Sequence, residues 1–278
     1  MSARLDACFS ALRARNQAGL IAFLMAGDPN PETSFAIMDE AIAAGADVLE
    51  IGVPFTDPTA DGPSVQRAGE RALRQRAGLS TALAAASLLR AKHPETPLIL
   101  MGYANPAERL GPLRFAKALA EAGADGAILV DLPPEEDGEM RTALAALGLA
   151  LIRFTTPTTD AQRLREVLAG AQGFVYHVSV AGVTGAAAAA PEAAQAALAA
   201  LRRETALPLA LGFGVRTPEQ AGLYARFADA VVVGSALVDE AGSGDPEEAP
   251  SRVAERVRGL ARAVHDARLN SNNEGADR

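Results

Sequence analysis

Short, almost wholly apolar runs alternate with amphipathic stretches along the chain. The runs fall at 20–25, 48–51, 97–101, 127–130, 150–154, 174–178, 208–211 and 230–233. They lack polar alternation, which is the pattern of strands buried on both faces of a parallel sheet. Between them the apolar spacing predicts helices over 31–44, 81–92, 112–122, 135–147, 161–169, 193–203 and 218–227. A last helix is predicted over 251–267, with Ser251 as its N-cap. Gly45, Gly123, Gly148, Gly170 and Gly173 precede strands, as helix C-caps and tight turns do. Eight β-α repeats in about 250 residues predict an α/β fold of the (β/α)8 TIM-barrel type. An extra N-terminal helix over 2–16 would close its bottom, and a short helix over 235–240 would follow the eighth strand. No GxGxxG follows the first strand, which argues against an open dinucleotide-binding sheet. The pattern predicts a single barrel domain over 1–268. Residues 242–250 read as a flexible acidic loop, and 269–278 as a disordered tail.

Composition narrows the partners. Of 278 residues, 49% are hydrophobic and 22% charged, enough for a large core. The net charge of -8 argues against nucleic acid or an anionic membrane as the main partner. Any phosphate site must then be local and built from backbone amides. The lone cysteine, Cys8, lies in an amphipathic helix pattern and reads as a small core hydrophobe in a reducing cytosol. No signal-peptide segment and no membrane-spanning run are read, so a cytoplasmic location is expected. Three histidines without a Cys/His cluster argue against a zinc site. His93 and His265 read as surface residues, and His177 as structural.

In a barrel the chemistry lies at the C-terminal ends of the strands. Glu50, read as lying at the end of the second strand with no evident basic partner, is marked as a proton-transfer candidate over a buried ion pair. Asp61, in Asp61-Gly-Pro-Ser64, reads by itself as a turn organiser or helix cap. Asp57, Asp28 and Asp131 adjoin prolines and read first as turn or interface residues. Tyr176 shares the parity of Phe174 and Val178. It either points into the barrel mouth or is a buried tyrosine with a satisfied hydroxyl. After the sixth, seventh and eighth runs come Gly185, Gly212, Gly214, Gly234 and Ser235. Three consecutive glycine-bearing loops offer free amides around one point, where barrels often hold phosphate.

Taken in order, LEIGVPFTDPTADGP (49–63), GDPNP (27–31), MGYANP (101–106), VDLPPEE (130–136), SVAGVTG (179–185), GFGV (212–215) and VVGSALV (232–238) resemble the α-subunit family of tryptophan synthase. The likeness covers nearly the whole chain, and its first motif is the most specific. It implies a lyase that cleaves indole-3-glycerol phosphate, retro-aldol fashion, to indole and glyceraldehyde 3-phosphate. Glu50 would protonate indole C3 and help deprotonate the glycerol hydroxyl. Asp61 would answer the indole N–H, with Tyr176 near both. Phe23, Met101, Ile128 and Phe213 would form the indole pocket, and Thr184 would be a lid residue contacting Asp61. The resemblance also implies an αββα assembly in which the β subunit, not this chain, carries pyridoxal phosphate. Pro54, Phe55, Asp57, Asn105 and Pro133 would then lie at or near the β-subunit contact. Three rival readings remain at this point: another phosphate-handling barrel such as a sugar-phosphate isomerase, a non-enzymatic regulator of a β subunit, and a stand-alone lyase.

Overall fold

The computed structural model describes residues 2–178, 191–212 and 214–274, with side chains up to residue 269. Nine strands are seen among them: β1 (Gly19–Met25), β2 (Val48–Gly52), β3 (Leu98–Gly102), β4 (Gly126–Leu129), β5 (Ala150–Leu151), β6 (Arg153–Thr155), β7 (Val175–Val178), β8 (Leu209–Gly212) and β9 (Ala230–Val233). All pairings are parallel, in the order β5-β4-β3-β2-β1-β9-β8-β7-β6. The two ends of this order are consecutive in the chain, with only Ile152 between them. The ninth strand therefore comes from dividing the fifth apolar run. Its first half pairs with β4 and its second with β7, the change of neighbour that a staggered, closing barrel requires.

Alternation along each strand separates two cores. Ile21, Val48, Ile99, Ile128, Ile152, Phe174 and Ala230 point inward and pack together. Leu20, Leu24, Leu49, Ile51, Leu98 and Leu100 point outward against the helices. The N-terminal helix, Ala3–Ala14, inserts Leu5, Phe9 and Leu12 into the inward set, and Phe9 meets Phe174 at 5.8 Å between ring centroids. It plugs the barrel bottom as its pattern predicts. Around that end, three aspartates just before strands bind the amide of a neighbouring strand: Asp47 takes Leu20, Asp125 takes Leu98 and Asp229 takes Leu209, at 2.8–2.9 Å.

Several elements differ from the sequence pattern. Helices Pro63–Arg74 and Ala104–Leu110 were not predicted. The first has its apolar spacing at Val65, Ala68, Gly69 and Ala72, but these residues are small and set among arginines, so the signal is weak. The last helix runs Ala249–Glu274. Ser251 lies inside it and bonds the Glu248 carbonyl at 2.9 Å, so it is not the N-cap. The helix also passes beyond 267 into the polar segment, because adding turns to a packed helix is easy once it is nucleated. His93 and His265 are half-buried on Asp39 and Asp47, each at 2.8 Å, and are not free surface residues. His177 faces outward and bonds Thr155 Oγ1 at 3.0 Å, a structural position.

Candidate active site

Glu50 lies on β2 with the parity of Val48, opposite Phe23 and Ile99, and therefore faces the barrel interior. Its exposure is 0%, and neither carboxyl oxygen has a hydrogen-bond partner among the described residues. An uncompensated buried carboxylate is costly, so the group keeps its proton. Burial alone raises its pKa from 4.5 to about 8.

Asp61 arrives from the loop that follows β2. The Asp61 amide donates to Pro58 O at 3.1 Å, and Gln66 Nε2 donates to Asp61 O at 2.8 Å. Tyr103, just past β3, accepts the Ala60 amide at 3.0 Å and hydrogen-bonds the Asp61 carboxyl. Burial raises Asp61 to about 6, against the lowering effect of the Tyr103 bond. The Tyr103 hydroxyl is pushed well up, by burial first and then by the Asp61 charge, so it remains a donor.

Both acids line one cavity of about 310 Å³. Its apolar walls include Phe23, Val65, Met101, Val130, Phe154, Tyr176, Val178 and Val232, and Gly62, Gly214, Val215, Gly234 and Ser235 are also in its lining. Tyr176 points into it, with its ring 4.9 Å from Phe154. Burial, and then the nearby Glu50 charge, raise the tyrosine hydroxyl. Gly212 lies behind Tyr176 and does not line the cavity. A Cβ there would come within 2.3 Å of the Tyr176 hydroxyl oxygen, so glycine makes room for the ring.

Glu50, Asp61, Tyr176, Phe23, Met101, Gly214, Gly234 and Ser235 are thus brought together. Ile128 is not in the wall. It belongs to the packed layer inside the barrel, and Val130, two residues on and facing the same way, lines the cavity. Thr184, Gly185 and Phe213 lie outside the described residues. Of the group assigned to a partner face, Pro54 is buried, Phe55 and Pro133 are half-buried, and Asp57 and Asn105 are exposed. Pro54 therefore offers no free surface. Phe55 stacks on Tyr103 at 5.1 Å. Sequence reasoning missed Tyr103, Val130, Phe154 and Val232 as site residues, although Tyr103 and Val130 directly follow strands and Phe154 and Val232 are each the last residue but one of theirs, near the barrel mouth.

A parallel barrel with two carboxyl groups of raised pKa at the mouth, over an apolar cavity with glycine-rich edges, has the architecture of a (β/α)8-barrel enzyme. The family profile "Tryptophan synthase alpha chain" matches residues 9–267. A tryptophan synthase alpha chain of Erythrobacter litoralis (strain HTCC2594) is 51% identical over 265 residues, covering 95% of this chain and 99% of that protein. One from Caulobacter sp. (strain K31) is 48% identical over 268 residues, covering 96% and 98%. The crystal structure of tryptophan synthase subunit alpha from Legionella pneumophila str. Paris superposes with a TM-score of 0.86 at 39% identity, covering 94% of this chain and 98% of that one. The chain belongs to the tryptophan synthase alpha chain family, a family of lyases.

Proposed function

We propose that the chain cleaves indole-3-glycerol phosphate to indole and glyceraldehyde 3-phosphate, with Glu50 as acid and base and Asp61 as the group facing the indole nitrogen. One observation carries the assignment: Glu50 is fully buried at an apolar cavity and lacks any hydrogen bond among the described residues. With a pKa of about 8 it is neutral at pH 7 and can give a proton to indole C3. That proton turns the ring into an electron sink. The C–C bond electrons then return to the ring as C3 leaves the glycerol carbon. That carbon becomes the aldehyde as its hydroxyl proton passes to the Glu50 carboxylate. Asp61, at about 6, is ionised at pH 7 and stabilises the positive charge that develops on the indole N–H. Two carboxyls whose surroundings separate their proton affinities suit two different roles.

Phe23, Met101, Val130 and Phe154 supply flat apolar walls for the indole ring. Backbone amides at Gly214, Gly234 and Ser235, with Gly185 as a further candidate, would take the phosphate, whereas Gly212, behind Tyr176, is not part of that cradle. The chain needs no cofactor for this reaction. Its partner would be a pyridoxal-phosphate β subunit in an αββα assembly, which would take up the indole. Phe55, Asp57, Asn105 and Pro133 supply partly or fully exposed groups for that contact. No helix among the described residues is long and apolar enough to cross a membrane. The single cysteine, its thiol raised to about 12 by burial first and then by Asp47, fits a reducing compartment, and the cytoplasm is the location this function calls for.

A steady-state assay on indole-3-glycerol phosphate, with and without a β subunit, tests the reading. Indole release that is lost in Glu50→Gln supports it, and no release under either condition overturns it.

A further inference from the structure

Asp239 lies on the helix Ser235–Ala241, four residues after Ser235 and hence on the same face one turn along. Its carboxylate holds three groups from two other segments. Oδ2 accepts from Ser64 Oγ at 2.9 Å and from an Arg216 guanidinium nitrogen at 2.7 Å, and Oδ1 accepts from Arg67 at 3.0 Å. Arg67 also donates to Ser64 Oγ at 3.2 Å, which closes the cluster. Burial raises the proton affinity of Asp239, but the bonds from Arg216, Ser64 and Arg67 outweigh it, so the group is ionised. Beside it, Arg71 donates to Val238 O at 3.2 Å and forms a two-point pair with Asp28 at 2.6 and 2.8 Å.

Each segment tied by Asp239 also lines the cavity. Ser64 and Arg67 flank Val65 and follow Asp61 and Gly62, Arg216 follows Gly214 and Val215, and Asp239 shares its helix with Ser235. The acid-bearing segment and two phosphate-cradle segments thus meet at one carboxylate outside the cavity. From this juxtaposition we infer that Asp239 is a positioning residue that sets the phosphate-binding backbone relative to Asp61, and so matches the site to the length of its phosphorylated substrate. The inference rests on the proposed function. Its sign opposes simple electrostatics: removing a carboxylate beside an anion site should favour the anion, whereas loosening a positioned cradle should disfavour it.

The test is Asp239→Asn, which keeps shape but removes charge, with indole-3-glycerol phosphate and its dephosphorylated analogue as substrates. For this partly exposed network, KM for the phosphorylated substrate is expected to rise about three- to tenfold, with kcat within about twofold. KM for the dephosphorylated analogue should not move, and inhibition by inorganic phosphate should weaken. The double variant Asp239→Asn/Arg216→Gln should be no worse than either single variant, because both break the same tie. An unchanged or lowered KM overturns the inference, as does an equal loss on both substrates, which would mark a merely structural role. If the wild-type chain cleaves neither substrate, the proposed function fails instead. The inference then stands or falls on calorimetric binding of inorganic phosphate, which Asp239→Asn must weaken.

Discussion

The hydroxyl of Tyr103 accepts the backbone amide of Ala60 at 3.0 Å, which anchors the loop one residue before the Asp61 carboxyl. The same hydroxyl bonds that carboxyl, and the Tyr103 ring stacks on Phe55 near the other end of the loop. Removing the hydroxyl in Tyr103→Phe takes a stabilising donor from the ionised form of Asp61, so its pKa rises. The acidic limb of the kcat/KM profile should move to higher pH, by up to about one unit, and kcat/KM at pH 7 should fall by up to about twofold. An unmoved limb would show that Tyr103 does not tune Asp61.

The wild-type profile itself should be bell-shaped. Activity needs Asp61 ionised, above about 6, and Glu50 protonated, below about 8. The maximum is therefore expected near neutral pH, with the two limbs belonging to the pair of acids together. The measurement is kcat/KM for indole-3-glycerol phosphate from pH 5 to 9.

Glu50→Gln should abolish cleavage while changing stability in a pH-dependent way. The folded chain holds a proton on Glu50 up to about 8, whereas the unfolded chain releases it near 4.5. The folded state thus binds more protons between these values, and wild-type stability falls as pH rises through that window. Glutamine removes the effect. Near pH 5 the two proteins should unfold at similar denaturant concentrations. By pH 9 the variant should be the more stable, on the order of a few kcal/mol. Parallel curves at both pH values would contradict the buried, unpartnered state of Glu50.

Gly212→Ala should displace Tyr176. The added methyl would sit 2.3 Å from the hydroxyl oxygen and 2.4 Å from a ring carbon, and a ring packed on Phe154 has little room to retreat. A loss of about 1–3 kcal/mol in unfolding free energy is expected, with a fall in kcat/KM. Shortening the ring in a second substitution, Tyr176→Ala, should relieve the strain of Gly212→Ala in a thermal melt.

The barrel was legible from the chain because its signal is local. A strand buried on both faces must be apolar at every position, and Leu20, Leu49, Leu98 and Val231 announce it without any neighbour being known. Glu50 stood out for the same reason, as a charge within such a run. Local pattern could not reveal which residues meet across the mouth. Asp61 reads as a turn residue until Tyr103, 42 positions later, is seen beside it, and nothing in the local pattern singles out Asp239, which closes on Ser64 and Arg216. Nor did it show that the fifth run divides at Ile152 to close the ring, or that Val130 rather than Ile128 reaches the cavity wall. Sequence by itself determined the repeat, the parity of the strands and the family. Tertiary structure decided depth, closure and the proton affinities of the two acids, because these depend on how much water the other strands and loops exclude.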